Sequence, residues 1–259
     1  MSTLTESLKE LALGSGFADV GITTPERVSD LYYGWVGKIR KMKTPSEELE
    51  SARSVIIMTQ EIWDDSFSLS IYPQDWKGYG MHPENEQFES YYIGYEVMRR
   101  KAQLIVDYLK DNGFEALISF EIPCKTTAVR CGLGAQGKNT LLVTPNLGPR
   151  VMLVSVLTSA ELEVDEPFEE DLCGDCEKCI TACPTRAIEP YRLSIHRCMT
   201  YSAESPCSPD VHADVRKLEK KLVRRPTKNS FIDCSICINV CPVGKRQGTQ
   251  YSKAKTSQT

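Results

Sequence analysis

Cys173-Gly-Asp-Cys176-Glu-Lys-Cys179-Ile-Thr-Ala-Cys183-Pro184 is the stretch whose spacing decides how the rest of the chain is read. Three cysteines at steps of three, a fourth just beyond and a closing proline form the run in which three thiolates hold one [4Fe–4S] cube and the fourth crosses to a second. A second cube requires a second thiolate group. Cys234-Ser-Ile-Cys237-Ile-Asn-Val-Cys241-Pro242 supplies it, one cysteine short of a full run. The missing ligand must come from elsewhere, and Cys198, in His196-Arg-Cys198-Met-Thr-Tyr201, is the candidate. The predicted sets are Cys173, Cys176, Cys179 and Cys241 for one cluster, and Cys183, Cys198, Cys234 and Cys237 for the other.

Zinc is the competing reading of such thiols, but zinc ribbons use two separated Cys-x-x-Cys pairs around one tetrahedral ion. Here the cysteines fall in two groups, each ending in proline. An extracellular disulfide framework fits no better, because the 11 cysteines are an odd number and the N-terminus reads without a secretory signal. Cys124, Cys131 and Cys207 are left over and are expected to be small buried hydrophobes.

The chain has 259 residues and a formal net charge of −4. That length allows one large or two modest domains with an ample core. The mild acidity argues against a protein that coats nucleic acid over its whole surface. No segment reaches the run of about eighteen apolar residues that a membrane span needs. Reducing conditions keep cluster thiolates available, so the expected location is cytoplasmic.

Taken in order, Thr3-Leu-Thr-Glu6 is a capping box opening a helix that stops at Gly14 and Gly16. Strands are predicted at 18–22, 54–58, 115–119, 140–144 and 150–157, and a helix start at Pro45. Residues 61–85 read as a long loop. The longest helix is expected from about Asn85 to Asp111, with Tyr91, Tyr95, Met98, Ala102, Ile105 and Leu109 on its apolar stripe. Residues 125–130 read as a short helix, acidic residues 161–171 as a linker, 214–225 as a strongly basic helix, and the tail from Lys245 as frayed. The expected domains are 1–164, 165–247 for the two clusters, and a tail at 248–259.

Gly132-Leu-Gly134-Ala-Gln-Gly137-Lys138-Asn139 matches both the dinucleotide pattern and the start of a phosphate loop. Either motif should follow a strand and open a helix. Here a predicted helix precedes it and a strand follows, and Asn139 stands where a magnesium-binding Ser or Thr belongs. Nucleotide binding is therefore rejected.

These residues carry a family resemblance. Ala128-Val-Arg-Cys-Gly-Leu-Gly-Ala-Gln-Gly-Lys-Asn139, then Leu-Val-Thr-Pro-Asn-Leu-Gly-Pro-Arg150, then the two cysteine groups with Arg-Cys198-Met-Thr-Tyr201, is similar to the epoxyqueuosine reductase and reductive dehalogenase superfamily. The resemblance implies an α+β architecture: a nitroreductase-like α/β domain holding a cobalamin, followed by a ferredoxin-like double [4Fe–4S] domain that reduces it. It also implies that Gly134, Gly137, Lys138, Asn139 and Thr140 line the corrinoid pocket. Where the epoxyqueuosine enzymes carry an Asp-Thr-Gly-Pro stretch whose Asp is the proposed proton donor, this chain has Phe120-Glu121-Ile-Pro-Cys-Lys125. Glu121 is the displaced substitute, with Tyr95 and then Tyr79 next in line.

The expected function is an iron–sulfur reductase relaying electrons through two clusters to a cobalamin that reduces a small molecule or a modified nucleoside. The alternative is an activator that reduces a partner's corrinoid and has no substrate of its own. The expected electron donor is a small ferredoxin or flavodoxin. The basic helix reads as a solvated or flavodoxin-docking face in preference to a transfer-RNA face.

Overall fold

A computed structural model describes residues 3–36, 39–82 and 90–244. Its centre is an antiparallel four-stranded sheet of Asp19–Thr23, Ser54–Glu61, Val151–Thr158 and Ala116–Ser119, in that spatial order. The strand Ser54–Glu61 lies between two partners and is buried on both faces, which is why its sequence is a continuous apolar run. Successive residues divide between two cores. Ile56 and Met58 point to a core built with the helices Leu4–Gly14 and Ile93–Asp111. Val55 and Ile57 point to a second core with Ile122, Ala128, Cys131 and Leu142.

The first helix begins with the expected capping box, Thr3 and Glu6 each serving the other's backbone amide. Met98, Ala102, Ile105 and Leu109 of the long helix are fully buried, as its stripe predicts. Its start differs. The helix opens at Ile93, because Tyr91 and Tyr92 are claimed by a small sheet in which they pair with Ile71 and Ser70. Tyr91 is thus a strand residue, and the expected turns at 85–89 lie outside the described residues. The strand expected at 140–144 shrinks to Leu142–Val143, the return arm of a hairpin with Ala135–Gln136. The loop predicted from residue 61 contains the helical turn Asp65–Ser68 and the strand Leu69–Ile71. The basic helix runs Ala213–Leu222.

The C-terminal segment interlocks with what precedes it. Ser230–Ile232 pairs with Leu69–Ile71 and so completes the small sheet. The acidic linker is strapped down: Asp165 accepts from Lys9 Nζ at 2.5 Å and from the Ile22 amide at 2.8 Å, and the Phe168 amide bonds Val129 O. Arg150, just before its strand, spans the junction. Its guanidinium donates to Leu147 O, Ile238 O, Val243 O and, at 2.7 Å, Cys241 O. Where these chains cross, a Cβ on Gly244 would come within 2.2 Å of Gly148 N, so a bare backbone is required there. The frayed tail expected from Lys245 lies outside the described residues.

Of the leftover cysteines, Cys131 is buried and Cys124 half-buried, but Cys207 is exposed. It follows Pro206 in a surface turn, where its amide bonds Lys77 O and its thiol meets no core.

Candidate functional site

Thiols of each predicted set lie near one another. Cys173, Cys176, Cys179 and Cys241 line one small cavity together with Lys138, Asn139 and Val143. Burial raises the Cys179 thiol pKa, and the nearby Cys173 and Cys176 add to the rise. Cys241 is held in place through its carbonyl by Arg150. The second set is deeper. Burial pushes Cys237 up to about 12, with Cys234, Cys198 and Cys183 contributing in turn, and Cys234 up to about 11 with contributions from Cys198 and Cys183. Cys179 of the first set also acts on Cys237, so the two sets adjoin.

The donor chemistry fits two [4Fe–4S] clusters: four thiols per set, crossed between the sequence groups as the run requires. The surroundings fit as well. Tyr201 packs with Cys198 and Cys234, and its buried hydroxyl finds no protein partner. The buried Nδ1 of His196, whose ring meets Tyr201 edge-on, is likewise orphaned. Polar atoms left unpaired beside thiols are suited to the sulfur of a cluster.

The Gly-rich loop forms the tip of the 135–143 hairpin. The Gly137 amide bonds Leu141 O at 2.8 Å, and Thr140 adopts the left-handed region with φ 63°. Gly134 has φ 155°, and a Cβ on it would meet Val143 O at 2.2 Å. Neither arm continues into a helix, so the loop is neither a phosphate loop nor a dinucleotide turn. It packs on the first thiol set: the Lys138 amide points at Cys173 Sγ at 3.4 Å, and Asn139 is buried against the same cavity.

A second feature lies on the other side of the deep thiols. Lys125 is exposed by surface area, yet burial by surrounding protein is what pulls its ammonium pKa down. Lys125 and the side chains that act on it are read as the rim of a recess. Thiols Cys198 and Cys237 oppose the shift, while the neighbouring Arg40 reinforces it. Arg40 comes from the hairpin Trp35–Val36 and Arg40–Lys41, whose Ile39 packs on the shell around Cys198 and Cys234. It faces Tyr79 and Tyr95, whose phenols burial raises to about 12. Tyr95 packs edge-on against Tyr92 and Phe120.

Glu121 is placed differently. Its amide donates to Ser119 Oγ, its carbonyl accepts from the Lys43 amide, and its charge acts on the Lys43 ammonium, which is paired with Glu48. Sequence reasoning missed Glu204 and Asp233. Burial raises Glu204 to about 8, with Asp233 adding to it, and raises Asp233 to about 7. Nothing in their local sequence marks them, since the pattern that buries them is tertiary.

Known proteins bear on this geometry. A family profile described as a 4Fe-4S double cluster binding domain matches residues 172–244. The epoxyqueuosine reductase of Bacillus subtilis (strain 168) is 32% identical over 158 residues, covering 58% of this chain and 38% of that protein. That of Listeria monocytogenes is 31% identical, again over 58% of this chain and 38% of its own length. The chain thus covers well under half of each of these relatives. An epoxyqueuosine reductase solved with a tRNA-Tyr epoxyqueuosine-modified stem loop superposes with a TM-score of 0.66 at 26% identity, over 93% of this chain and 65% of that one. A reductive dehalogenase shares the fold, with a TM-score of 0.54 at 18% identity over 83% of this chain and 33% of its own. The chain is a sequence and fold relative of the epoxyqueuosine reductases, with a reductive-dehalogenase fold neighbour and a 4Fe-4S double cluster binding domain at residues 172–244.

Proposed function

We propose that this chain is an iron–sulfur reductase: electrons enter at the outer thiol set, pass to the inner one and are used in the adjoining recess. The observation that carries this reading is the junction of the inner thiols with Lys125, which faces Cys198 and Cys237 and also Arg40 of the recess. Bound at the two sets, [4Fe–4S] clusters supply one-electron transfer. The protein's own part is placement. Arg150 fixes Cys241, the 135–143 hairpin closes over Cys173, and Ile39 and Tyr201 pack the inner set away from water.

In this reading residues up to about 164 form a nitroreductase-like unit, and a ferredoxin-like two-cluster unit follows. Arg40 and Lys125 are positioned to attract an anionic or electron-rich group, and Tyr95, with Tyr79, faces the same space. Tyr95 is the better placed of the two predicted proton donors, since Glu121 sits among Lys43, Ser119 and Glu48. A cobalamin in the recess would supply the cobalt centre on which such reductions are carried out. Gly134, Gly137, Lys138, Asn139 and Thr140 belong in this reading to the outer cluster's shell. The substrate class is a modified nucleoside in RNA, supported by the relatives' names and by the stem-loop complex of one of them.

The test is anaerobic reconstitution with iron and sulfide, followed by visible spectroscopy with and without added cobalamin, and viologen-driven reduction of an epoxyqueuosine stem loop. About eight irons per chain are expected. Four irons or stoichiometric zinc would overturn the cluster assignment. Full cluster content without turnover of the stem loop, but with reduction of a separate corrinoid protein, would favour the activator reading.

A further inference from the structure

The stretch Cys183-Pro184-Thr185-Arg186-Ala187 folds into a turn around one sulfur. The Ala187 amide donates to Cys183 Sγ at 3.3 Å, and the Thr185 hydroxyl lies 3.5 Å from the same atom. The Arg186 amide bonds Cys183 O at 3.1 Å, and Arg186 itself sits in the left-handed region with φ 52°. A non-glycine residue is uncommon there. Here that conformation carries the chain back so that the next N–H reaches the sulfur. Two contacts fix the turn from outside. Arg197 Nε donates to Thr185 O at 2.7 Å while its other end pairs with Asp214 at 2.7 Å, and the Ser194 amide bonds Ala187 O at 2.8 Å. Arg197 directly precedes Cys198, the N-cap of the helix Met199–Glu204, so this one side chain joins the segments of two inner cysteines.

Cluster chemistry fixes which atom donates. A sulfur that ligates iron is a thiolate and carries no proton, so in the loaded protein Cys183 Sγ can only accept. Thr185 is 2% exposed, and among the described residues Cys183 Sγ is the partner its hydroxyl has. A buried hydroxyl that points its proton elsewhere would forgo a hydrogen bond and bear the desolvation cost. The hydroxyl of Thr200 already serves the Cys234 amide as acceptor at 3.2 Å, and that of Tyr201 has no protein partner. Thr185 is thus the side chain, among the described residues, whose donor is placed on a named sulfur of the inner set. A hydrogen bond to a ligating sulfur draws off electron density. The reduced cluster, with one more negative charge, gains more from it than the oxidised one. Low polarity around the bond strengthens that preference.

We propose that the Thr185 hydroxyl, assisted by the Ala187 amide, raises the reduction potential of the inner cluster and so favours transfer of each electron inward. This rests on the cluster assignment of the reductase reading above. The step it serves moves one electron, oxidising the outer cluster and reducing the inner one. No proton moves and no covalent bond is made or broken. The O–H···S bond is present before and after the step and is the stronger after it. The electron itself comes from the low-potential one-electron donor which that reading already requires. Thr185 is a positioning residue, since it meets a ligand sulfur and not a substrate. Arg197 keeps it aimed, because the bond to Thr185 O holds the main chain of the turn while the side chain faces Cys183.

The experiment is a redox titration of the reconstituted protein, with iron content measured first and the two clusters followed by paramagnetic resonance. Thr185→Val keeps the β-branched shape and removes the donor. It should load about eight irons per chain, as the wild type does. Its inner midpoint should shift to more negative potential while the outer midpoint stays in place. Thr185→Ser retains the hydroxyl and should hold the wild-type midpoint. An inner midpoint unmoved in the Val variant, or both midpoints moved equally, would overturn the proposal. Should the Val variant lose its inner cluster, Thr185→Ala and Thr185→Ser decide between them. A more negative midpoint in the Ala variant supports the proposal, and a common midpoint overturns it. Loss of the inner cluster from Val and Ala alike, with Ser loaded normally, would make Thr185 a residue needed for assembly and would equally overturn a role in the potential. A wild type holding four irons or stoichiometric zinc would overturn the cluster assignment and this proposal with it. About eight irons with unmoved midpoints would overturn the part given to Thr185 alone.

Discussion

Arg150 carries more of the outer site than any cysteine spacing reveals. Its four acceptors include Cys241 O and Val243 O, so one guanidinium ties the last cysteine of the outer set to the strand that begins at Val151. A lysine keeps the charge but not the fork that reaches several carbonyls at once. Arg150→Lys should therefore reduce reconstituted iron from about eight to about four per chain, with the inner cluster's signal retained in paramagnetic resonance. Loss of both clusters together would show that Arg150 supports the whole fold instead. Cys207→Ala, at an exposed position, should change neither signal, whereas Cys198→Ala should remove the inner one. At this scale the double-cluster domain was legible because thiolate chemistry imposes fixed intervals. Arg150, Glu204 and Tyr92 were not, because their partners lie about ninety to over a hundred residues away in the chain. Glu121 illustrates the converse: a sequence position near the right motif does not fix what a carboxylate faces.

Among the elements, the central strands and the long helix were readable from periodicity, and the misses have specific causes. The long helix begins later than its apolar stripe suggests, because Tyr91 and Tyr92 satisfy their backbone in a strand with Leu69–Ile71. Aromatic residues suit either setting, and the tertiary partner decided. The Gly-rich hairpin was legible only as something other than a nucleotide loop. Two positions make element-scale predictions. Gly21 lies where a Cβ would meet Cys131 O at 2.5 Å and Cys131 Cβ at 2.6 Å, so Gly21→Ala should cost about 1–3 kcal/mol by overpacking. The linker is held by Asp165, and Asp165→Ala leaves the Ile22 amide without its acceptor, a loss of about 1–3 kcal/mol. Denaturant melts would check both, and iron content should be unaffected in either variant. A Gly21→Ala protein as stable as wild type would mean that the 124–130 helix shifts away from the sheet at little cost.

Over the whole molecule, charge separates from function in a way that composition conceals. The net charge is −4, yet the helix Ala213–Leu222 presents Lys217, Lys220 and Lys221, all exposed. Its other basic residues are occupied. Arg216 holds the main-chain oxygens of Ser202, Ser205 and Ser208, and beyond the helix Arg224 pairs with Asp65 and Arg225 with the buried Glu219. Three exposed lysines on a helix packed against the one that ends in Glu204 are placed either to bind an RNA backbone near the recess or to receive an acidic electron donor. The two differ in what salt and mutation do. Replacing Lys217, Lys220 and Lys221 with Glu should weaken binding of a modified stem loop, and the salt dependence of that binding should flatten by about one unit of slope for each phosphate no longer neutralised. Fluorescence anisotropy across a salt series would measure it. If stem-loop affinity holds and only the rate of reduction by a ferredoxin or flavodoxin falls, the helix is the donor's docking face. The recess would then have to recognise its nucleoside through Arg40, Lys125 and the tyrosines without help from the backbone.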